Sequence, residues 1–138
     1  MELLKEYPKQ ALVFNRALNM GAGKLAAQLS HASMGSFLKL FDKKENENNF
    51  ELNLKMEKGL PIEQWVNQKF TKVVLYVKSE EALLKVYNNA IAKGLNAVLI
   101  KDEGLTFFDK PTYTCVGIGP DLPSNLKPVT GKLQVYKD

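Results

Sequence analysis

Lys24 has the type and setting of a residue that could do chemistry. It follows a glycine-rich turn in the segment NMGAGKLAAQ (19–28) and begins a run of helix-forming residues. A helix N-terminus with free N–H groups favours an anion, and a lysine placed there adds positive charge. The turn therefore predicts either a phosphate- or anion-binding loop, with Gly21 and Gly23 shaping it, or a plain turn whose lysine faces solvent.

Two nucleotide-binding motifs are excluded at this turn. A P-loop needs an earlier glycine and a hydroxyl directly after its lysine, but Leu18 and Leu25 occupy those places. A Rossmann G-x-G-x-x-G fails as well, because Ala26 stands where the third glycine is required. If the turn binds phosphate, it does so in another setting.

Gln28 and His31 follow Lys24 at helical spacing, so the three form a polar stripe on an otherwise apolar or small-residue helix. This stripe either faces a site or is a solvated helix surface. One histidine and one cysteine do not supply the usual ligands of a zinc site. The cysteine, Cys115, alternates within a strand and is expected to be an inert core thiol. No G-x-S-x-G elbow supports a serine–histidine–aspartate triad built on His31.

Asp102 ends a predicted strand, and Thr106 follows it within the same loop. Such a carboxylate can orient a water molecule or accept its proton. The structural alternative is a carboxylate that caps its own turn through backbone N–H groups. If the strand that begins near Thr112 is antiparallel, Thr114 returns to the same edge, and Lys24, Asp102, Thr106 and Thr114 could converge there.

The composition of the 138 residues is that of a folded, globular protein, with 45% hydrophobic and 25% charged residues. The net charge of +4 permits a nucleic-acid partner without requiring one. The chain has no apolar run long enough to span a membrane, and a single cysteine is consistent with the cytoplasm.

The pattern of apolar residues predicts one domain over residues 1–138, with a charged N-terminal extension (1–10) and a polar surface loop (42–58). A strand–helix–strand unit is the clearest element, and it predicts a parallel pair formed by 71–77 and 96–101. The short connection after 101 instead predicts a hairpin to 112–119. The remaining predicted elements are a strand over 11–18, a helix over 23–41, a short helix over 61–70 and an edge strand or extended tail over 132–136.

These elements predict an α/β fold, with a mixed sheet of about four strands and helices on both faces. Ligands of such sheets bind beyond the carboxyl ends of the parallel strands. The turn that carries Lys24 and the strand end at Asp102 both lie at that edge.

Taken in order, the motifs resemble those of the type 2 peptidyl-tRNA hydrolases of archaea and eukaryotes. The resemblance covers nearly the whole chain from about residue 11. It is carried by MGAGKLAAQLSHA (20–32), Trp65 followed by KVVLYV (72–77), DEGLT (102–106), TYTCVGIGP (112–120) and VTGKL (129–133).

The resemblance implies an α/β/α sandwich that hydrolyses the ester between a peptide and the tRNA 3′ end, with peptidyl-tRNA as its partner. It implies Lys24, Asp102, Thr106 and Thr114 as the catalytic set, and no metal or organic cofactor. The resemblance also implies a homodimer, the usual oligomeric state of the family. Gly21, Gly23, Gln28 and His31 are the candidate substrate-binding residues.

The chain departs from the family pattern at Ala17, Ala22, Leu105 and Phe107. Ala22 and Leu105 stand where the family carries basic residues, so fewer positive charges are available to attract phosphate. The alternative function is a non-catalytic module that keeps the fold and binds RNA or a protein. Hydrolysis of peptidyl-tRNA discriminates between these two functions.

Overall fold

The computed structural model describes residues 6–105 and 107–137, which fold around a five-stranded mixed sheet. The strands are β1 (Lys9–Asn15), β2 (Asp42–Glu45), β3 (Phe50–Asn53), β4 (Thr71–Val77), β5 (Ala97–Asp102), β6 (Thr112–Asp121) and β7 (Gln134–Val135). The helices are α1 (Ala22–Leu38), α2 (Pro61–Asn67), α3 (Glu80–Ala92) and α4 (Pro123–Thr130), and a 3-10 turn spans Arg16–Leu18.

The strand order of the main sheet is β5-β6-β1-β4-β7. Strand β1 pairs in parallel with β4, while β6 runs antiparallel between β1 and β5, which confirms the predicted hairpin. The predicted pairing of 71–77 with 96–101 is wrong, because β6 and β1 lie between β4 and β5. Strands β1 and β6 are buried almost throughout, so these apolar strands take the centre of the sheet.

The sheet carries helices on both faces, as predicted. On one face, α3 and α4 cover a core that includes Val13, Leu83 and Leu126. On the other face, α1 covers a smaller core that includes Phe14 and Cys115. Burial raises the pKa of the Cys115 thiol to about 11, so this cysteine is protonated at neutral pH and is a core residue, as expected.

Small residues and side-chain amides hold α1 against the sheet. A Cβ atom on Gly117 of β6 would lie 2.2 Å from the backbone oxygen of Ala32, so only glycine permits this approach. Gln10 is fully buried in β1, where its Nε2 donates to Ser36 Oγ at 2.7 Å and its Oε1 accepts from Ser33 Oγ at 2.5 Å. These contacts hold the C-terminal half of α1 against the sheet.

Replacing Gly117 with alanine is expected to lower the free energy of unfolding by about 1–3 kcal/mol, because the backbone of α1 must move away from β6. Urea denaturation measures the change. The matched control is Gly23→Ala, whose new Cβ would have no atom within 4 Å and whose stability should be unchanged or slightly higher. A Gly117→Ala variant as stable as the parent would contradict this packing.

The segment predicted as a surface loop over 42–58 instead contains the two-stranded hairpin of β2 and β3, although both strands are exposed. Its asparagine-rich centre forms the turn, in which Asn46 Oδ1 accepts hydrogen bonds from the backbone N–H groups of Asn48 and Asn49.

The ends of several elements differ from the prediction. Strand β1 begins at Lys9, so the N-terminal extension is shorter than 1–10, and it ends at Asn15, where the 3-10 turn starts. Strand β6 continues through a cis Gly119–Pro120 bond to Asp121. Helix α4 was not predicted, because a proline inside a helix, here Pro128, argues against helix from sequence.

Within the described ranges, no helix has both the length and the apolar character needed to cross a membrane.

Candidate active site

Four side chains that sequence reasoning singled out meet at one edge of the sheet. Lys24 and Gln28 lie one turn apart on α1, so they project from the same face of the helix. Asp102 is the last residue of β5, and Thr114 lies near the start of β6. The α1 helix thus faces the end of one strand and the beginning of the next, and this brings the four together.

The Asp102 carboxylate is the centre of the cluster. Its Oδ2 accepts from Lys24 Nζ at 2.7 Å and from Gln28 Nε2 at 3.1 Å. Its Oδ1 accepts from the backbone N–H of Gly104 at 2.9 Å. Three donors from two distant segments therefore fix the orientation of a single carboxylate.

Gln28 links Asp102 to Thr114. The Thr114 hydroxyl donates to Gln28 Oε1 at 2.6 Å, while the amide group of the same glutamine donates to Asp102. Gln28 is 2% exposed and Thr114 is 0% exposed, so this relay is shielded from water. Both ends of the Gln28 amide are satisfied, which fixes the side chain in one orientation.

A β-bulge points Thr114 towards α1. Ile100 of β5 pairs with Cys115, whereas Lys101 pairs with Tyr113, so Thr114 is an extra residue without a partner on β5. Cys115 faces the core under α1, and strict alternation would turn Thr114 to the opposite face of the sheet. The bulge changes that direction, which lets the hydroxyl reach Gln28.

The contacts around Asp102 hold the pKa of its carboxyl group below the usual range. The hydrogen bond from Lys24 contributes most, followed by the backbone N–H of Gly104, while desolvation opposes both. Asp102 is therefore an anion at neutral pH.

Lys24 lies in the first turn of α1, where the helix dipole disfavours a cation, and the pairing with Asp102 offsets that effect. The Lys24–Asp102 pair is the only ion pair in the part of the chain that the structure describes. It remains accessible to solvent, since the two side chains are 19% and 13% exposed. The ring of Phe108 lies 5.6 Å from Lys24 Nζ. A substrate group can therefore reach the ammonium and carboxylate groups from solvent.

The other candidate residues differ in their placement. Gly21 is the exposed N-cap residue of α1 and Gly23 follows in its first turn, so both shape the entry to the helix that carries Lys24. His31 is exposed and makes no hydrogen bond with the cluster. Thr106 lies outside the described residues, so its expected role stays a prediction.

A cavity of about 420 Å³ adjoins the cluster through Phe108, and its lining includes Asn15, Glu80 and Tyr113. A more apolar cavity of about 360 Å³ lies between α1 and α2, but none of the four clustered residues lines it. In residues 6–105 and 107–137, no group of three His, Cys, Asp or Glu side chains could hold a metal ion.

Comparison with known proteins identifies a family and relatives for this chain. A family model described as peptidyl-tRNA hydrolase PTH2 matches residues 8–136. The chain belongs to the peptidyl-tRNA hydrolase PTH2 family. A relative named peptidyl-tRNA hydrolase from Methanopyrus kandleri is 37% identical over 94% of this chain and 98% of its own length. A relative of the same name from Sulfolobus acidocaldarius is 37% identical over 92% of this chain and 98% of its own length. Another from Nanoarchaeum equitans is 36% identical over 93% of this chain and 98% of its own length.

The positions at which the chain departs from the family pattern are all exposed. Ala17 follows β1, Ala22 begins α1, and Leu105 and Phe107 lie in the loop after β5. None of them contacts the Asp102 carboxylate through a hydrogen bond. These four positions thus lie on the surface around the cluster and leave its hydrogen bonds untouched.

Two members of the site were not predicted as such. The Gly104 backbone N–H contributes to the Asp102 geometry, and the glycine in DEGLT was the available signal. Phe108 follows that loop in a stretch without periodicity, so nothing in the sequence marks it as a neighbour of Lys24.

Proposed function

We propose that this chain hydrolyses the ester that joins a peptide to the 3′ end of tRNA. Membership of the peptidyl-tRNA hydrolase PTH2 family supports this function, and the observation that carries it is the Lys24–Asp102–Gln28–Thr114 network. The network presents one fixed anion and one fixed cation side by side at a solvent-accessible edge, which suits the cleavage of an ester by water.

Asp102 orients the attacking water in this proposal. Its Oδ2 is occupied by Lys24 and Gln28, whereas among the described residues Oδ1 receives a hydrogen bond only from the Gly104 N–H and has capacity to accept a second one. A water held there is polarised by a full negative charge. Because the pKa of Asp102 is lowered, the carboxylate is a weak base, and its main contribution is to position the water.

Lys24 stabilises the negative charge that develops on the ester carbonyl oxygen. Among the described residues, Asp102 accepts one of its three N–H donors, so the others can donate to the substrate. A donor that is already positioned where charge develops lowers the barrier without reorganisation during the reaction.

Gln28 and Thr114 are positioning residues. Thr114 is fully buried and its hydroxyl donates to Gln28, so it acts on the reaction through the amide and the Asp102 carboxylate. This role differs from a direct hydrogen bond to substrate, which the sequence also allowed for Thr114. The role of Thr106 beside the water rests on the family resemblance alone.

The chemical balance is simple. The water oxygen bonds to the ester carbonyl carbon, and the resulting tetrahedral intermediate then loses its bond to the ribose oxygen. One proton of the water is transferred to the ribose oxygen, directly or through solvent, and the other is released to solvent when the new carboxylic acid ionises. The products are a peptide with a free carboxylate and a tRNA with an intact 3′ end.

The test is the release of an N-acetylated amino acid from N-acetyl-aminoacyl-tRNA. We expect multiple turnovers by the parent protein, measured as loss of acid-precipitable label. A tRNA analogue with an amide in place of the ester is the control, and it should bind without cleavage because an amide is a poorer substrate.

Binding of both RNAs without any cleavage would contradict the proposal and favour an RNA-binding module. Failure to bind either RNA would instead favour a protein partner. We also infer a cytoplasmic location, which the family's connection with translation supports. We infer a homodimer as well, because this is the usual oligomeric state of the family. Fractionation of cells and sedimentation of the purified protein test these two inferences.

A further inference from the structure

Arg16 is the only arginine of the chain, and its side chain lies on two tyrosine rings. Its guanidinium carbon is 5.0 Å from the centre of the Tyr76 ring and 5.8 Å from that of Tyr136. Both distances are within the range of a cation–π interaction. We call Arg16, Tyr76 and Tyr136 the arginine platform.

The two rings of the platform are held in place by the sheet. The backbone N–H of Tyr136, just after β7, donates to the Val74 carbonyl on β4 at 2.9 Å. Its ring meets Phe14 edge-on at 5.0 Å and Tyr76 edge-on at 6.2 Å. The Tyr76 hydroxyl also donates to Gln134 Oε1. The guanidinium of Arg16 therefore contacts two tyrosine rings whose positions are fixed by the sheet.

Arg16 has no carboxylate partner among the described residues, where Lys24 and Asp102 form the sole ion pair. The side chain is exposed, and its guanidinium N–H groups donate no hydrogen bond to the described residues, so they are free to donate to a ligand. A pre-positioned arginine with unused donors suits a phosphate group, which accepts two parallel hydrogen bonds from it.

The platform belongs to the same edge of the sheet as the candidate active site. Arg16 directly follows β1, and the chain then leads to Gly21, the N-cap of α1. They are five positions apart in the sequence, so their Cα atoms lie within about 18 Å of each other. A tRNA whose 3′ end reaches Lys24 can thus place a backbone phosphate near Arg16.

We propose that the arginine platform binds a phosphate of the tRNA backbone. This inference rests on the proposed function and adds a tRNA contact outside the catalytic cluster. Arg16 offers a positive charge near the edge where Ala22 and Leu105 replace the basic residues typical of the family. The alternative is that Arg16 only covers the two tyrosine rings.

The test is the affinity for deacylated tRNA over a series of KCl concentrations. Arg16→Gln is expected to weaken binding about tenfold at low salt, because a charged hydrogen-bonded pair is lost. It should also reduce the slope of log K against log salt by about 1, the value for one phosphate contact. Arg16→Lys should retain the slope but bind more weakly, because an ammonium lacks the bidentate fork.

Lys93→Gln is the matched control. It removes the same charge from an exposed residue, but Lys93 caps the C-terminal end of α3, at the opposite edge of the sheet. Its salt slope should equal that of the parent protein. Circular dichroism should show that both proteins are folded. Equal salt slopes for Arg16→Gln and the parent would then overturn the proposal, and Arg16 would only cover the two tyrosine rings.

The result is independent of hydrolysis, because deacylated tRNA has no ester. Absence of peptide release by the parent protein would contradict the proposed function, whereas an unchanged salt slope would contradict only the phosphate contact.

Discussion

Replacing Asp102 with asparagine is expected to lower kcat/KM for peptidyl-tRNA by about 10²–10³-fold, the range for the loss of one preorganised electrostatic contact to the reacting groups. Asparagine has the same shape but no charge, so it positions and polarises the attacking water weakly. The affinity for deacylated tRNA should change little, because Asp102 contacts no phosphate in the proposed mechanism. Single-turnover rates and tRNA affinity, measured on the same preparation, separate the two effects.

Glu103→Gln is the control for the Asp102 variant. Glu103 is exposed and directly follows Asp102, so the substitution removes the same charge from the same loop without touching the network. It should hydrolyse peptidyl-tRNA at the parent rate. If both variants retained full activity, Asp102 would not be part of the hydrolytic centre.

Replacing Lys24 with methionine is expected to lower kcat by about 10²–10³-fold, the typical effect of removing one donor from a developing oxyanion. Lys101→Met is the control, because Lys101 precedes Asp102 and points its ammonium towards the Tyr113 ring instead. An equal loss of rate in both variants would indicate a general effect of charge and would contradict a specific role for Lys24.

The Lys24 variant should also change the dependence of rate on pH. Lys24 is the largest cause of the lowered pKa of Asp102, so its removal raises that pKa towards the usual carboxyl value. The parent enzyme should lose activity only when the pH falls below the usual carboxyl range. In Lys24→Met, the acidic limb of the residual activity should lie at a higher pH.

The lowered pKa of Asp102 also makes the stability of the folded protein depend on pH. A carboxyl group whose pKa is lowered in the folded state stabilises the protein above its unfolded-state pKa, and this contribution is lost as the pH falls through the folded-state value. The Lys24–Asp102 contribution is therefore fully present at neutral pH and is lost only under acidic conditions.

Much of the fold follows from local patterns. The apolar strands, the Ser79 cap of α3 and the short hairpin between β5 and β6 all carry signals in nearby residues. The order of the strands does not, because β4 and β5 are joined by a helix yet lie on opposite sides of β1 and β6. That arrangement depends on which strands are buried on both faces, and this is a property of the whole sheet.

In the candidate site, too, some residues carry a local sequence signal and others do not. Lys24, Gln28 and Asp102 were found from helical spacing and from the end of a strand, and they do meet. His31 shares their stripe, but it lies about 10 Å further along the helix axis than Lys24, so it is distant from the strand edge that carries Asp102. The direction of Thr114 depends on a β-bulge, whose position is set by cross-strand pairing and has no local signal.

The most direct test of the account is a double-mutant cycle on Lys24 and Asp102, measured as the single-turnover rate of peptide release from peptidyl-tRNA. Side chains that act as one catalytic unit give strongly non-additive losses. We therefore expect Lys24→Met combined with Asp102→Asn to be about as slow as the slower single variant. A loss equal to the product of the two single losses would show that the residues act independently, which would contradict a single Lys24–Asp102 hydrolytic centre.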